Sequence, residues 1–197
     1  MTAHAPVVAE TSSKVVMSVD KWQIRDMELS SGKIDALWSM LQRYKTLFSD
    51  LTKDDANNFL NVLAAPHSLW FEVWEYDAIV GIIWFADMWQ VTDCCGHMVF
   101  FDRAPAEKAN LCKAMVKWMF ENFPIHRITV TPPVIYRATV RLLEKIGFSF
   151  EGSKYQSVLL GGRWVDQSIY GITRSEVSVP ANGDRPVVSV KSRHRVN

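Results

Sequence analysis

Arg137–Phe148, RATVRLLEKIGF, is the stretch from which the fold is read. Val140, Leu143 and Ile146 recur at the helical period, and Gly147 comes directly after the last of them, where a helix ends in a left-handed cap that glycine adopts without steric cost. Leu142, Ile146 and Phe148 are the core residues of this segment. Downstream, Phe148–Leu160 and Arg163–Thr173 flank Gly161 and Gly162, a glycine pair suited to the positive φ angles of a tight hairpin turn. Upstream, Ile128 and Val130 mark a short strand that Pro132 and Pro133 end. Between Pro105 and about Phe123, Leu111, Met115, Trp118 and Met119 fall on one face of a helix that Pro124 stops.

Further toward the N-terminus, Ser68–Tyr76 and Ile79–Phe85 are rich in aromatic and branched residues around Asp77, which predicts an antiparallel hairpin, and Gly96–Phe101 adds a strand. Two helices precede them. One runs from Ile34 through Leu37, Trp38, Leu41 and Phe48 behind the candidate caps Ser30 and Ser31. The other carries Phe59, Leu60 and Leu63 behind a Thr52–Asp55 capping box and ends by Pro66. A strand is expected near Lys21–Leu29. The order is helix, helix, three strands, helix, strand, helix, strand, strand, which predicts an α/β domain with a mixed sheet against helices. The expected division is a tail over 1–18, a domain over 19–176 and a tail over 177–197, with no internal repeat.

The 197 residues suffice for one sizeable core, and a hydrophobic fraction of 48% with eight Trp excludes a disordered chain. A net charge of +1 gives no global field toward nucleic acid or an anionic membrane. The longest apolar runs are too short to span a bilayer, and no signal segment is read, so a cytoplasmic location and neither a membrane nor a nucleic-acid partner are expected. The three Cys, two adjacent at Cys94 and Cys95, and the five scattered His carry no metal-ligand spacing, so no metal is expected. The basic residues Lys191, Arg193, His194 and Arg195 read as a solvated tail. Trp70, Trp74, Trp84 and Trp89 are either core residues or an apolar contact face.

The element order and RATVRLLEKIGF together resemble the GNAT superfamily of N-acetyltransferases. Glu151, Gly152, Gly162, Trp164, Asp166, Tyr170 and Arg174 are similar to the last segments of ribosomal-protein N-terminal acetyltransferases, so that the resemblance covers roughly 69–176. It implies a GNAT-like mixed, mostly antiparallel central sheet with helices on both faces. It also implies acetyl-CoA as cosubstrate and a small amine or a protein amino group as acceptor.

In that family an R/Q-x-x-G-x-G/A loop wraps the pyrophosphate at a helix N-terminus, where free amides and the helix dipole favour an anion. The matching run here is Arg103, Ala104, Pro105, Ala106, Glu107, Lys108. Arg103 matches, Ala106 and Lys108 stand at the glycine positions, and Arg103 and Lys108 are expected to pair directly with phosphate. Backbone amides near Val99 and Phe100 are expected to polarise the thioester. Glu72, Asp93 and His97 are the candidate bases. The family's helix Tyr position is Leu143, which leaves Tyr136 as the nearest phenol to serve as acid. The alternative expectation is a non-catalytic GNAT-like module, such as a phage virion or assembly component, that forms a homo-oligomer or holds a protein partner through its tails.

Overall fold

The computed structural model describes residues 13–47, 49–88, 92–101 and 108–177. Two short strands, β1 (Val15–Val19) and β2 (Trp22–Asp26), open the chain. After them come α1 (Ser31–Leu41), α2 (Ala56–Leu63), β3 (Leu69–Glu75), β4 (Ala78–Ala86) and β5 (Asp93–Phe100). The chain continues through α3 (Ala109–Asn122), β6 (Arg127–Val130), α4 (Arg137–Ile146), β7 (Ser149–Leu160) and β8 (Arg163–Thr173). All eight described strands form one sheet in the order β1-β2-β3-β4-β5-β6-β8-β7. Each neighbouring pair is antiparallel except β5 with β6.

Local chemistry sets the boundaries. Ser30 caps α1 by accepting the Lys33 amide, and Asp55 alone caps α2 by accepting the Asn58 amide. The expected capping box is therefore corrected: Thr52 lies in a preceding turn, its hydroxyl donating to the Ser49 carbonyl. The first helix is also shorter than its pattern predicts, because the backbone passes into a 3₁₀ turn over Gln42–Leu47 with Tyr44 at φ −112° and ψ 52°. Gly147 ends α4 at φ +114°, and Gly161 and Gly162 turn the β7–β8 hairpin at +59° and +74°.

The tail expected over 1–18 is corrected at its end. Val15–Val19 pair with β2, and Val16, Met17 and Val19 pack against the core, apolar burial that local periodicity over so short a run does not reveal.

The helices cover both faces. On one, α3 and α4 bury Leu111, Met115, Met119, Phe120, Leu142 and Leu143 against Phe71, Val73, Ile83 and Phe85 of the sheet. On the other, Leu37 and Leu41 of α1 and Phe59 and Leu63 of α2 close over Trp70, Ile82 and Val99. The alternation of strand side chains thus assigns Trp70, Ile82 and Val99 to the α1/α2 face and Phe71, Val73 and Ile83 to the α3/α4 face.

Candidate functional site

The break in the sheet lies between β5 and β6. The two strands pair in parallel only through Asp93–Cys95 and Arg127–Thr129. Beyond that β6 ends at Val130 and the chain turns through Pro132 and Pro133, while β5 continues to Phe100, paired among the described residues with β4 alone. A wedge opens in the middle of the sheet as a result.

Backbone alternation determines which amides line that wedge. Phe101 donates its N–H to the Val80 carbonyl at 2.8 Å, on the β4 side. In an antiparallel ladder, groups two residues apart point the same way, so the amides of Val99 and His97 also face β4. The N–H groups of Met98 and Phe100 face the side that β6 has left. Of the two expected carbonyl-polarising amides, Phe100 is turned toward the wedge and Val99 is turned away, while the amide of Met98 faces the wedge.

Below the wedge, on the α3 side, Gly96, Met98, Cys112, Met115, Val116, Ile128, Val130 and Phe148 line an apolar slot, with Cys112 Sγ 3.9 Å from Met98 Sδ. The cavity left between them is about 20 Å³. Two of its walls are Met, whose unbranched side chains repack at low cost. Burial pushes the thiol of Cys95 up to about 11 and that of Cys112 up to about 12, leaving both protonated at neutral pH.

Above the wedge, on the α1/α2 face, stands His97. Its imidazole stacks on Trp84 with centroids 4.6 Å apart and planes 6° from parallel, and Trp84 stacks on Trp70 at 4.8 Å and 5°. Burial lowers the His97 pKa to about 4, against a smaller opposite pull from Asp87, so the imidazole is neutral at physiological pH.

The other sequence-derived candidates are held elsewhere. Glu72 is fully buried on β3, two strand spacings or ~10 Å from β5. Its carboxylate forms an ion pair with Lys33 Nζ at 2.6 Å and accepts from Trp74 Nε1 at 2.9 Å. It therefore fastens α1 to the sheet and does not reach the wedge. Asp93 lies at the paired end of β5, where it accepts from the Thr129 hydroxyl.

Tyr136 is half-buried at the head of α4, at the end of the turn after β6. Leu143 is completely buried. Lys108 precedes α3 but its side chain folds inward, 3% exposed with the ammonium 4.7 Å from the Phe100 ring centroid, so it packs on an aromatic face rather than standing at the helix mouth. Arg103 and Ala106 lie outside the described residues, as do Trp89 and the tail from 178 onward.

Two features had no signal in the sequence. One is the Trp70–Trp84–His97 ladder, visible only once the strand register sets Trp70 opposite Trp84 and Trp84 opposite His97. The other is a clasp between the segment after α1 and the β7–β8 hairpin. Asp50 accepts the Gly162 amide at 2.6 Å and donates its own N–H to the Leu159 carbonyl at 2.8 Å. These contacts cross more than a hundred residues of chain. Tyr44 OH also donates to the Phe101 carbonyl at 2.5 Å, tying the same segment to the end of β5.

No family model matches the chain, and no curated protein matches it in sequence. Among solved structures it is similar to the spermidine N-acetyltransferase from Vibrio cholerae in complex with CoA and spermine. That pair shares 16% identity over 81% of this chain and 99% of the other, with a TM-score of 0.67. A GNAT-family acetyltransferase from Bacillus anthracis shares 23% identity over 83% and 98%, with a TM-score of 0.58. The ribosomal L7/L12 alpha-N-protein acetyltransferase RimL, in complex with coenzyme A, shares 12% over 81% and 98%, with a TM-score of 0.64. What is shared at these identities is the fold, and it is the one the resemblance of RATVRLLEKIGF implied.

Proposed function

We propose, taking the GNAT fold of this chain as premise, that the protein is an acetyl-CoA-dependent N-acetyltransferase acting on a small amine or a protein amino group at the wedge between β5 and β6. The observation that carries this reading is the loss of pairing after Cys95, which leaves a strand edge with the Met98 and Phe100 amides beside a Met-walled slot. Two of the similar structures contain CoA or coenzyme A.

When bound, acetyl-CoA supplies an activated acetyl thioester. The chain's own part is mainly positioning. The Met98 and Phe100 amides donate to the carbonyl oxygen as negative charge develops on it. With the thioester held there, an amine admitted from the α1/α2 face would attack the carbonyl carbon with its lone pair, and the C–S bond would break with the bonding pair leaving on sulfur. His97, being neutral, accepts the amine proton through its free ring nitrogen or through a water, and Tyr136 is the candidate to return a proton to the sulfur. Arg103 is the candidate phosphate partner.

A non-catalytic role for the same fold is the second reading, and the observation on its side is the small size of the slot, about 20 Å³ as the side chains stand.

Calorimetric titration with CoA, with acetyl transfer then measured on a panel of amines and peptide N-termini, decides between them. Micromolar binding weakened by Arg103→Ala supports the catalytic reading. An isotherm without heat, together with an unmoved melting temperature, overturns it.

A further inference from the structure

The aromatic ladder is built as a chain of supports that ends at the wedge. It begins at the end of α2, where the Ala65 carbonyl accepts from the Ser68 hydroxyl at 2.9 Å, and Ser68 Oγ accepts from Trp70 Nε1 at 3.1 Å. Trp70 is thereby fixed by a hydrogen bond as well as by burial at 5% exposure. Its ring lies parallel to Trp84, and Trp84 lies parallel to His97, one ring per strand across β3, β4 and β5. The cross-strand register leaves these rings no choice of neighbour. His97 is the last ring because the next strand has ended.

A side chain on the border of an opening would ordinarily sample several rotamers. A face-to-face stack restricts both ring angles of an imidazole. It also removes water from one whole face and so contributes to the burial that is the largest influence on the His97 proton, Asp87 at the end of β4 acting in the opposite sense. Asp93 and Lys154 act on the neighbouring Cys95.

We propose that Trp84, backed by Trp70, is a positioning residue that acts through His97, holding its imidazole stacked in one orientation beside the wedge. This rests on the reading of the wedge as a transfer site, but its physical content does not depend on turnover.

The test tracks the His97 imidazole by NMR through a pH titration, with His97→Asn identifying the resonance, and measures kcat/KM against pH in parallel. In the wild type the imidazole titrates at about 4. In Trp84→Leu it moves up by at least about one pH unit toward its ordinary value near 6.5, and kcat/KM at pH 5.5 falls relative to its value at pH 8 in step with that shift, by roughly tenfold for a titration that reaches 6.5. Trp84→Phe restores most of both. Should Trp84→Leu fail to fold, Trp70→Phe, which removes the Ser68 hydrogen bond and keeps a ring, is expected to shift the titration the same way by a smaller amount.

An imidazole titration that stays put in these variants overturns the ladder, whether or not the protein transfers acetyl groups. A wild type that binds no CoA while the titration moves as expected overturns the catalytic reading and leaves the positioning of His97 standing.

Discussion

Gly81 and Gly32 show how differently two glycines of one chain are constrained. A Cβ at Gly81 on β4 meets Phe100 Cδ1 at 2.6 Å and the Val99 carbonyl oxygen at 2.7 Å, and the latter is backbone that cannot rotate aside. Gly81→Ala is therefore expected to destabilise the fold by about 1–3 kcal/mol and to push β5 at the wedge itself, read by denaturant midpoint and by CoA affinity. At Gly32, near the start of α1, a Cβ meets nothing within 4 Å. Gly32→Ala is expected to stabilise by roughly 0.5–1 kcal/mol, because it only restricts the unfolded chain and favours helix. The two midpoints moving together in one direction sinks this account. The Gly81 constraint comes from a cross-strand neighbour, so nothing adjacent to it in sequence announces it; the Gly147 constraint comes from the helix it ends, and RATVRLLEKIGF announces it plainly.

At the scale of elements, α1 is held to the sheet by apolar packing and by one buried ion pair. Lys33 Nζ and Glu72 Oε1 have no hydrogen-bond partner of good geometry among the described residues and meet as an ion pair, so each charge depends on the other. Removing one partner of such a pair strands a charge, at a cost of about 3–5 kcal/mol, while replacing both avoids it. Lys33→Met is accordingly expected to be strongly destabilising, and Lys33→Met with Glu72→Gln to recover most of the loss, since Gln keeps an acceptor for Trp74 Nε1. Thermal unfolding of the single and double variants checks this, and a double variant no better than the single refutes it. Sequence reasoning places Glu72 on a strand and lists it as a base. It has no means of finding Lys33, because the pair is formed across the helix–sheet contact by residues 39 positions apart.

For the whole molecule, the proton linkage of His97 and the proposed binding of CoA meet at the wedge. His97 has a folded-state pKa near 4 against 6.5 unfolded, so between those values the unfolded chain binds the extra proton. Its contribution is fully present above about pH 6.5 and declines as pH falls toward 4, by up to the order of 3 kcal/mol. Stability measured by denaturant at a series of pH values is expected to fall over this window less steeply in His97→Asn. Equal slopes in the two proteins rule this out. Saturating CoA, at about a hundred times its dissociation constant, is expected to add about 2.7 kcal/mol and raise the melting temperature by roughly 5–10 °C.

The sequence by itself determined the order and kind of most elements, the caps at Ser30 and Gly147, the hairpin at Gly161–Gly162 and, through α4 and the two strands after it, the fold. These are local matters, set by periodicity and by backbone angles that a residue carries with it. Only the tertiary structure decided that β1 belongs to the sheet, that Met98 rather than Val99 turns its amide to the wedge, that Glu72 and Lys108 point inward, and that His97 ends a stack of indoles. Each of those depends on strand register and on contacts between residues distant in the chain, where a shift of one position sends every side chain to the opposite face.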